Sequence, residues 1–227
     1  HGRDNPTVAT YAGGGECQVR ITARADSEAR ADALIESVLA LLHARLGALV
    51  YGYDADTLEE TVGRLLAGTG LTVACAESCT GGLVSTMLTN VPGSSRYFDR
   101  GVVTYSDRAK MEQLGVDEKT LAAHGAVSRD TAVGMATGAA RIAGVDIGLS
   151  VTGVAGPGGG TDAKPVGMVH FALADMRRPS VITARMRFGG DRAAVRSRAA
   201  KFALDLARRH LMGDRQDHTV DHPATEQ

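Results

Sequence analysis

The chain contains no tryptophan, and only 4% of its residues are aromatic. Its core must therefore be aliphatic and alanine-rich, with helices packed closely together. No run of about 18 uninterrupted apolar residues occurs, which argues against a membrane-spanning helix, and no secretory signal opens the chain. Cysteine is scarce. Cys17, Cys75 and Cys79 cannot pair completely within one chain, and the C-x3-C spacing of the last two has no second Cys/His pair to complete a zinc site. A reducing cytoplasm is the expected setting. His124 and His170 stand alone, and neither HExxH nor a paired-carboxylate spacing appears. A metal hydrolase is therefore disfavoured, and neither metal nor cofactor is expected. Excess charge is lacking as well: 25 basic against 26 acidic residues give a net −1, so nothing in the balance calls for nucleic acid.

What the chain has is glycine. Its 28 glycines are about 12% of 227 residues, against a usual level of about 7%. Many of them cluster where a backbone turns sharply or approaches a ligand. Residues 1–55 read as a small β-β-α-β unit. Val8 to Tyr11 is a short strand, Cys17, Val19 and Ile21 alternate with polar residues, and Asp26-Ser27 offers an N-cap to a helix carrying Leu34, Val38, Leu41, Leu42 and Leu46. Gly47 stops that helix, and Leu49-Val50-Tyr51 reads as a strand. Asp56-Thr57-Leu58-Glu59 resembles a capping box, with a helix through Leu66 that Gly68 and Gly70 end. Strands are expected at 71–76, 101–105, 145–152, 166–174 and 181–188, and helices at 83–88, 108–114, 128–143 and 191–211. The tail, 213–227, is polar and reads as disordered. This order predicts an α/β domain over 56–212, a mixed sheet in three layers, with ligands at the loops that follow strands. The start at His1, with Asn5-Pro6 close behind, reads as the middle of a longer protein.

Five segments could carry chemistry. In AESCTGG, residues 76–82, a strand passes into a helix. Ser78 and Thr80 bring hydroxyls there, Gly81 and Gly82 remove side chains, and Cys79 is a second nucleophile; the plain alternative is an N-cap with a softened turn. In TYSDRAK, residues 104–110, Tyr105 and Lys110 flank another strand-to-helix turn. A lysine whose pKa burial lowers can act as a general base, whereas an ordinary exposed lysine cannot. PGSS, residues 92–95, offers Ser94 and Ser95 to a ribose or phosphate, or is only a turn. The loop 152–165 places five glycines and two prolines after an apolar strand, a density that favours binding. Thr152, Gly153, Gly156 and Lys164 are its candidates. In FGGDR, Asp191 caps the last helix and Arg192 reaches toward an anion or a neighbouring subunit.

Taken together, AESCTGG, PGSS, FxRGVVTYSxxAK, HGAVS, TGVAGPGGGTxxKPVG and GDRxxVR occur in this order. The series closely resembles the CinA (competence/damage-inducible protein A) family. In particular it resembles the C-terminal domain of that family, which stands alone as a nicotinamide mononucleotide deamidase (PncC-type). The resemblance covers about residues 56–212, and residues 1–55 are similar to part of the family's KH-like middle domain. It implies an amidohydrolase that converts nicotinamide mononucleotide to nicotinate mononucleotide and ammonia, in pyridine-nucleotide recycling and without a metal. Ser78 would attack, Lys110 would take its proton and Tyr105 would assist. The N–H groups of Cys79 and Thr80 would receive the oxyanion. Glu77, Gly81, Gly82, Ser94, Ser95, the 152–164 loop and Arg192 would surround the substrate. Met168 stands where a threonine is usual. The other class of reading is a non-catalytic nucleotide-binding or regulatory module, which the retention of Ser78, Tyr105 and Lys110 argues against. RNA binding by the first unit is disfavoured because it lacks a basic G-x-x-G loop. A homodimer or larger homo-oligomer is expected.

Overall fold

The protein is described by a computed structural model, which covers residues 5–178, 180–213 and 218–220. It divides into two compact units, His1–Asp54 and Ala55–Gln227. In the first, β1 (Thr7–Gly13) and β2 (Glu16–Thr22) form an antiparallel hairpin that leads into α1 (Glu28–Leu46). The strand expected at 49–51 is absent. Gly47 instead starts a single 3-10 turn, Gly47–Leu49, and the Tyr51 hydroxyl donates 2.7 Å to Glu16. The Val50 amide donates to the Gly47 carbonyl at 3.2 Å, closing that turn, and apolar β-branched character alone does not make a strand.

The second unit is a three-layer α/β domain. Its sheet runs β4 (Phe98–Val103), β3 (Val73–Glu77), β5 (Ile147–Gly153), β6 (Met168–Asp175), β7 (Ser180–Arg187) and β8 (His218–Val220). β3 is parallel to both β4 and β5, while β6 runs antiparallel to both of its neighbours. The sheet is mixed, as expected. The strand β8, parallel to β7, lies inside the tail that was expected to be disordered. The remainder of that tail lies outside the described residues.

On one face lie α2 (Leu58–Thr69), α3 (Leu83–Thr89) and α7 (Arg192–Leu211), and on the other α4 (Asp107–Leu114), α5 (Glu118–His124) and α6 (Arg129–Ala143). Local sequence explains most of their ends. Thr57 and Glu60 close a full capping box, Ser106, Ser128 and Asp191 accept from N3 amides, and Gly70, Gly115 and Gly144 terminate helices in the left-handed region. Gly68, expected to end α2, lies inside it. The seven-residue α5 was not anticipated, because it is too short to show periodicity.

The absence of tryptophan is answered as expected, by small residues. Ala132 and Ala136 of α6 press on Ala172 and Ala174 of β6, and a Cβ at Gly148 would meet the Ala136 carbonyl at 1.9 Å. On the other face Phe171, Phe188 and Phe202 form an aromatic cluster, with ring centroids 4.7 to 6.3 Å apart.

At the amino end of the parallel strands, α7 is fastened by an ion cluster around the buried Asp175. His210 Nε2 lies 3.0 Å from Asp175 Oδ2, and Arg177 donates to the same carboxylate through Nε at 2.9 Å and Nη2 at 2.8 Å. Burial pushes the Asp175 carboxyl up, but the hydrogen bonds from Arg177 and His210 outweigh it and hold the pKa at about 2. The folded value lies below the unfolded one of 3.8. The stabilisation is therefore present above the unfolded value and is lost as pH falls toward 2. Asp175→Asn should cost about 2 kcal/mol at pH 7 by that difference. In chemical denaturation its deficit relative to wild type should close at about pH 2; a deficit equal at both pH values would show that packing, not charge, is responsible.

Candidate functional site

Three parallel strands deliver their carboxyl ends to one place. Ser78 follows β3, Thr104 and Tyr105 follow β4, and Thr152 and Gly153 end β5. The Ser78 amide donates to Val151 (2.9 Å) and the Thr104 amide to Glu77 (2.8 Å), so the three ends are stitched together. The chain leaves β3 toward β4 on one side, and β5 lies on the other. That change of direction opens the crevice in which α/β sheets bind ligands.

The turn after β3 is fixed from below by Glu77. Its carboxylate is 1% exposed and accepts four hydrogen bonds: from the amides of Gly82 (2.9 Å), Val84 (3.1 Å) and Ser85 (2.9 Å), and from the Ser85 hydroxyl (2.7 Å). Glu77 is therefore a cap for α3, and its assignment to substrate binding is corrected: its oxygens are already occupied. Gly81 and Gly82 take φ of +60° and +98°, a region costly for other residues. With that geometry the Gly81 amide donates to the Ser78 carbonyl (3.1 Å).

Ser78 is 8% exposed, and its hydroxyl makes no hydrogen bond among the described residues. No oxygen among the described residues accepts from the Cys79 and Thr80 amides; both instead act on the Cys79 thiol, whose pKa they lower. These are the two groups expected to receive an oxyanion. Two buried hydroxyls at this end, those of Thr80 and Thr104, also lack partners; a buried hydroxyl left so typically costs about 1–3 kcal/mol. Cys79 is buried as well. Burial is the main influence on its thiol and, with Glu77, pushes its pKa up to about 11, against the opposing pull of its own amide, Arg196 and the Thr80 amide. It is thus a poor source of thiolate at neutral pH.

Lys110 is fully buried on the first turn of α4. Nζ donates to the carbonyls of Thr104 (3.0 Å) and Tyr105 (3.4 Å). Burial draws its pKa below the usual 10.5, while Asp107 and Cys79 act the other way. A neutral amine has two N–H groups and one lone pair. With both N–H groups on carbonyls, the lone pair is left to accept a proton. Ser78 and Lys110 are not hydrogen-bonded to each other here.

Arg192, at the start of α7, ties two loops across this end, donating to the Gly156 carbonyl and to the Tyr105 hydroxyl, both at 2.9 Å. The Thr152 hydroxyl donates to Ala126 (2.7 Å), holding the loop before α6. Lys164 is committed to the His124 carbonyl.

Ser94 and Ser95 need correction. They form a 3-10 turn, Ser94–Arg96, immediately before β4, and the carbonyl of Tyr97 accepts from Val73 at the start of β3. Within one chain they lie at the opposite end of the sheet from Ser78, separated by a five-residue strand of about 15 Å. Sequence reasoning missed Thr104 and Arg196. The guanidinium of Arg196 donates to the carbonyls of Cys79 (3.1 Å) and Thr80 (2.9 Å). Its spacing of four from Arg192 on one helix was the available signal.

The fold and the site thus define a three-layer α/β protein with a serine-bearing turn at the carboxyl end of its central strand. Residues 55–211 match the family model described as CinA C-terminal domain, and residues 1–52 match the one described as damage-inducible protein CinA KH domain. A CinA-like protein of Kosmotoga olearia is 49% identical over 210 residues, covering 92% of this chain and 50% of its own. A putative competence-damage inducible protein of Symbiobacterium thermophilum is 49% identical over 216 residues, covering 92% and 51%. Among solved structures, competence/damage inducible protein CihA from Agrobacterium tumefaciens is 42% identical with a TM-score of 0.65, covering 69% of this chain and 95% of its own. A CinA superfamily protein from Escherichia coli is 36% identical with a TM-score of 0.63, covering 72% and 97%. The chain belongs to the CinA family. It spans about half the length of the curated relatives it matches.

Proposed function

We propose that this site hydrolyses the carboxamide of nicotinamide mononucleotide, giving nicotinate mononucleotide and ammonia. The substrate is carried by the family resemblance. The chemistry is supported by one juxtaposition: an unbonded serine hydroxyl beside two amides that donate to no oxygen among the described residues. Ser78 Oγ attacks the amide carbon as its proton passes to Lys110 Nζ. The carbonyl oxygen becomes an oxyanion between the Cys79 and Thr80 amides. Collapse of the tetrahedral intermediate breaks the C–N bond, and the proton held by Lys110 leaves with the nitrogen as ammonia. Water then attacks the acyl-Ser78 ester, losing a proton to Lys110, and releases the carboxylate while the serine hydroxyl re-forms. Tyr105 keeps its own O–H proton free to bond the substrate, since its oxygen is the acceptor from Arg192. The 153–164 loop and Arg192 face the ribose phosphate.

No hydrogen bond joins Lys110 and Ser78 here, which leaves the nucleotide-binding module as the competing reading; their hydrogen bond would have to form when substrate enters. The deciding test is ammonia release from nicotinamide mononucleotide by purified protein in EDTA. Release supports the amidase. Nucleotide binding by calorimetry without ammonia would leave the binding module.

A further inference from the structure

We propose that Arg196 is a positioning residue of this site: its guanidinium orients the peptide planes whose amides receive the oxyanion. The inference rests on the reading of Ser78 as an acyl-transfer nucleophile. A trans peptide unit points its carbonyl and its amide in opposite directions. Arg196 Nε holds the Cys79 carbonyl at 3.1 Å, so the Thr80 amide of the same unit points away from the guanidinium. Arg196 Nη2 holds the Thr80 carbonyl at 2.9 Å. The next amide, Gly81, then closes on the Ser78 carbonyl at 3.1 Å, which turns the Cys79 amide outward in the same way.

Two donors on one rigid fork thus set consecutive peptide planes, and the amides left over are those of Cys79 and Thr80. A guanidinium suits this task because its donors are coplanar and remain charged. Its charge also draws electron density from the Cys79 carbonyl, which makes the Thr80 amide the stronger donor. The same charge opposes the effect of burial on the neighbouring Cys79 thiol, so an anion formed beside the turn is favoured by it. The space is fitted: a Cβ on Gly81 would lie 3.1 Å from Nη2. Arg192, one helical turn earlier, holds the Gly156 carbonyl and the Tyr105 hydroxyl instead. The first turns of α7 therefore carry two guanidinium groups with separate tasks.

The test compares Arg196→Lys and Arg196→Ala with wild type on two readouts. One is kcat and KM for ammonia release from nicotinamide mononucleotide. The other is the rate at which a fluorophosphonate labels Ser78, a step in which the serine oxygen displaces fluoride from phosphorus. The alanine variant should lose about 10²-fold in kcat and in labelling rate, the size of effect seen when an oxyanion donor is lost. KM should change by less than about threefold. Lysine should recover only part of the loss, because it holds one carbonyl at a time, and added methylguanidinium should restore rate to the alanine variant. Unchanged kcat, a loss confined to KM, or a loss that methylguanidinium does not relieve overturns the proposal. If wild type is labelled at Ser78 but releases no ammonia, the substrate reading fails and the labelling rates alone decide on Arg196. If wild type is not labelled at Ser78, both fall.

Discussion

Lys110→Ala is expected to lower kcat for ammonia release by about 10³-fold, within the range for loss of a general base. Arginine at the same position should be no better, because it cannot give up its proton near neutral pH. The pH profile carries the finer test. The base must be neutral to accept the Ser78 proton, so kcat/KM rises with pH as Lys110 deprotonates. Burial lowers its pKa from the usual 10.5, so the rising limb should fall below that of an exposed lysine. The sign for stability follows from the same shift. Folding disfavours the charged form, so the domain gains stability as pH rises through the folded pKa toward 10.5. A rising limb that persists unchanged in Lys110→Ala would assign the titration to another group.

Ser78→Ala should abolish turnover, a loss on the order of 10³-fold or more, whereas Cys79→Ala should retain most of it. Spacing leaves the two nucleophiles open. The structure separates them by environment: burial holds the Cys79 thiol at about 11, while the Ser78 hydroxyl is unbonded and reaches the surface. Some loss in Cys79→Ala is compatible with repacking a buried side chain, but its pH profile should keep its shape. Alkylation should tell the same story. Iodoacetamide should modify exposed Cys17 well before Cys79, and activity should survive the first event. Full loss of activity in Cys79→Ala with Ser78→Ala still active would reverse the assignment.

Much of the fold was legible because its signals are local. Ser27, Thr57, Ser128 and Asp191 mark helix starts by a short polar side chain ahead of an apolar pattern, and the structure places each at an N-cap position, with a side-chain hydrogen bond at all but Ser27. The turn at 78–82 was legible for the same reason, since Ser, Gly and Gly between a strand and a helix restrict the backbone directly. What escaped depended on long-range geometry. Glu77 reads as a substrate-binding residue through the resemblance until its four donors are seen. Ser94 and Ser95 read as ligand groups, but which end of a sheet a loop occupies follows from strand direction. The short run at 49–51 has strand composition, but its backbone follows a 3-10 turn instead. Arg196 acts on carbonyls 116 and 117 residues away; its spacing of four from Arg192 marks a shared helix face but not the turn it holds.

The serine turn is made early in the chain, but the arginine that holds its carbonyls belongs to the last long helix. A nascent chain emerges from its N-terminal end, so the nucleophile is in place well before the α7 residues that pin it. Until residues 192–196 dock, the amides of Cys79 and Thr80 are free to rotate with their peptide units. Assembly of the site is therefore coupled to completion of the domain. A chain cut short before α7 would carry Ser78 and Lys110 and still lack a fixed place for the developing charge.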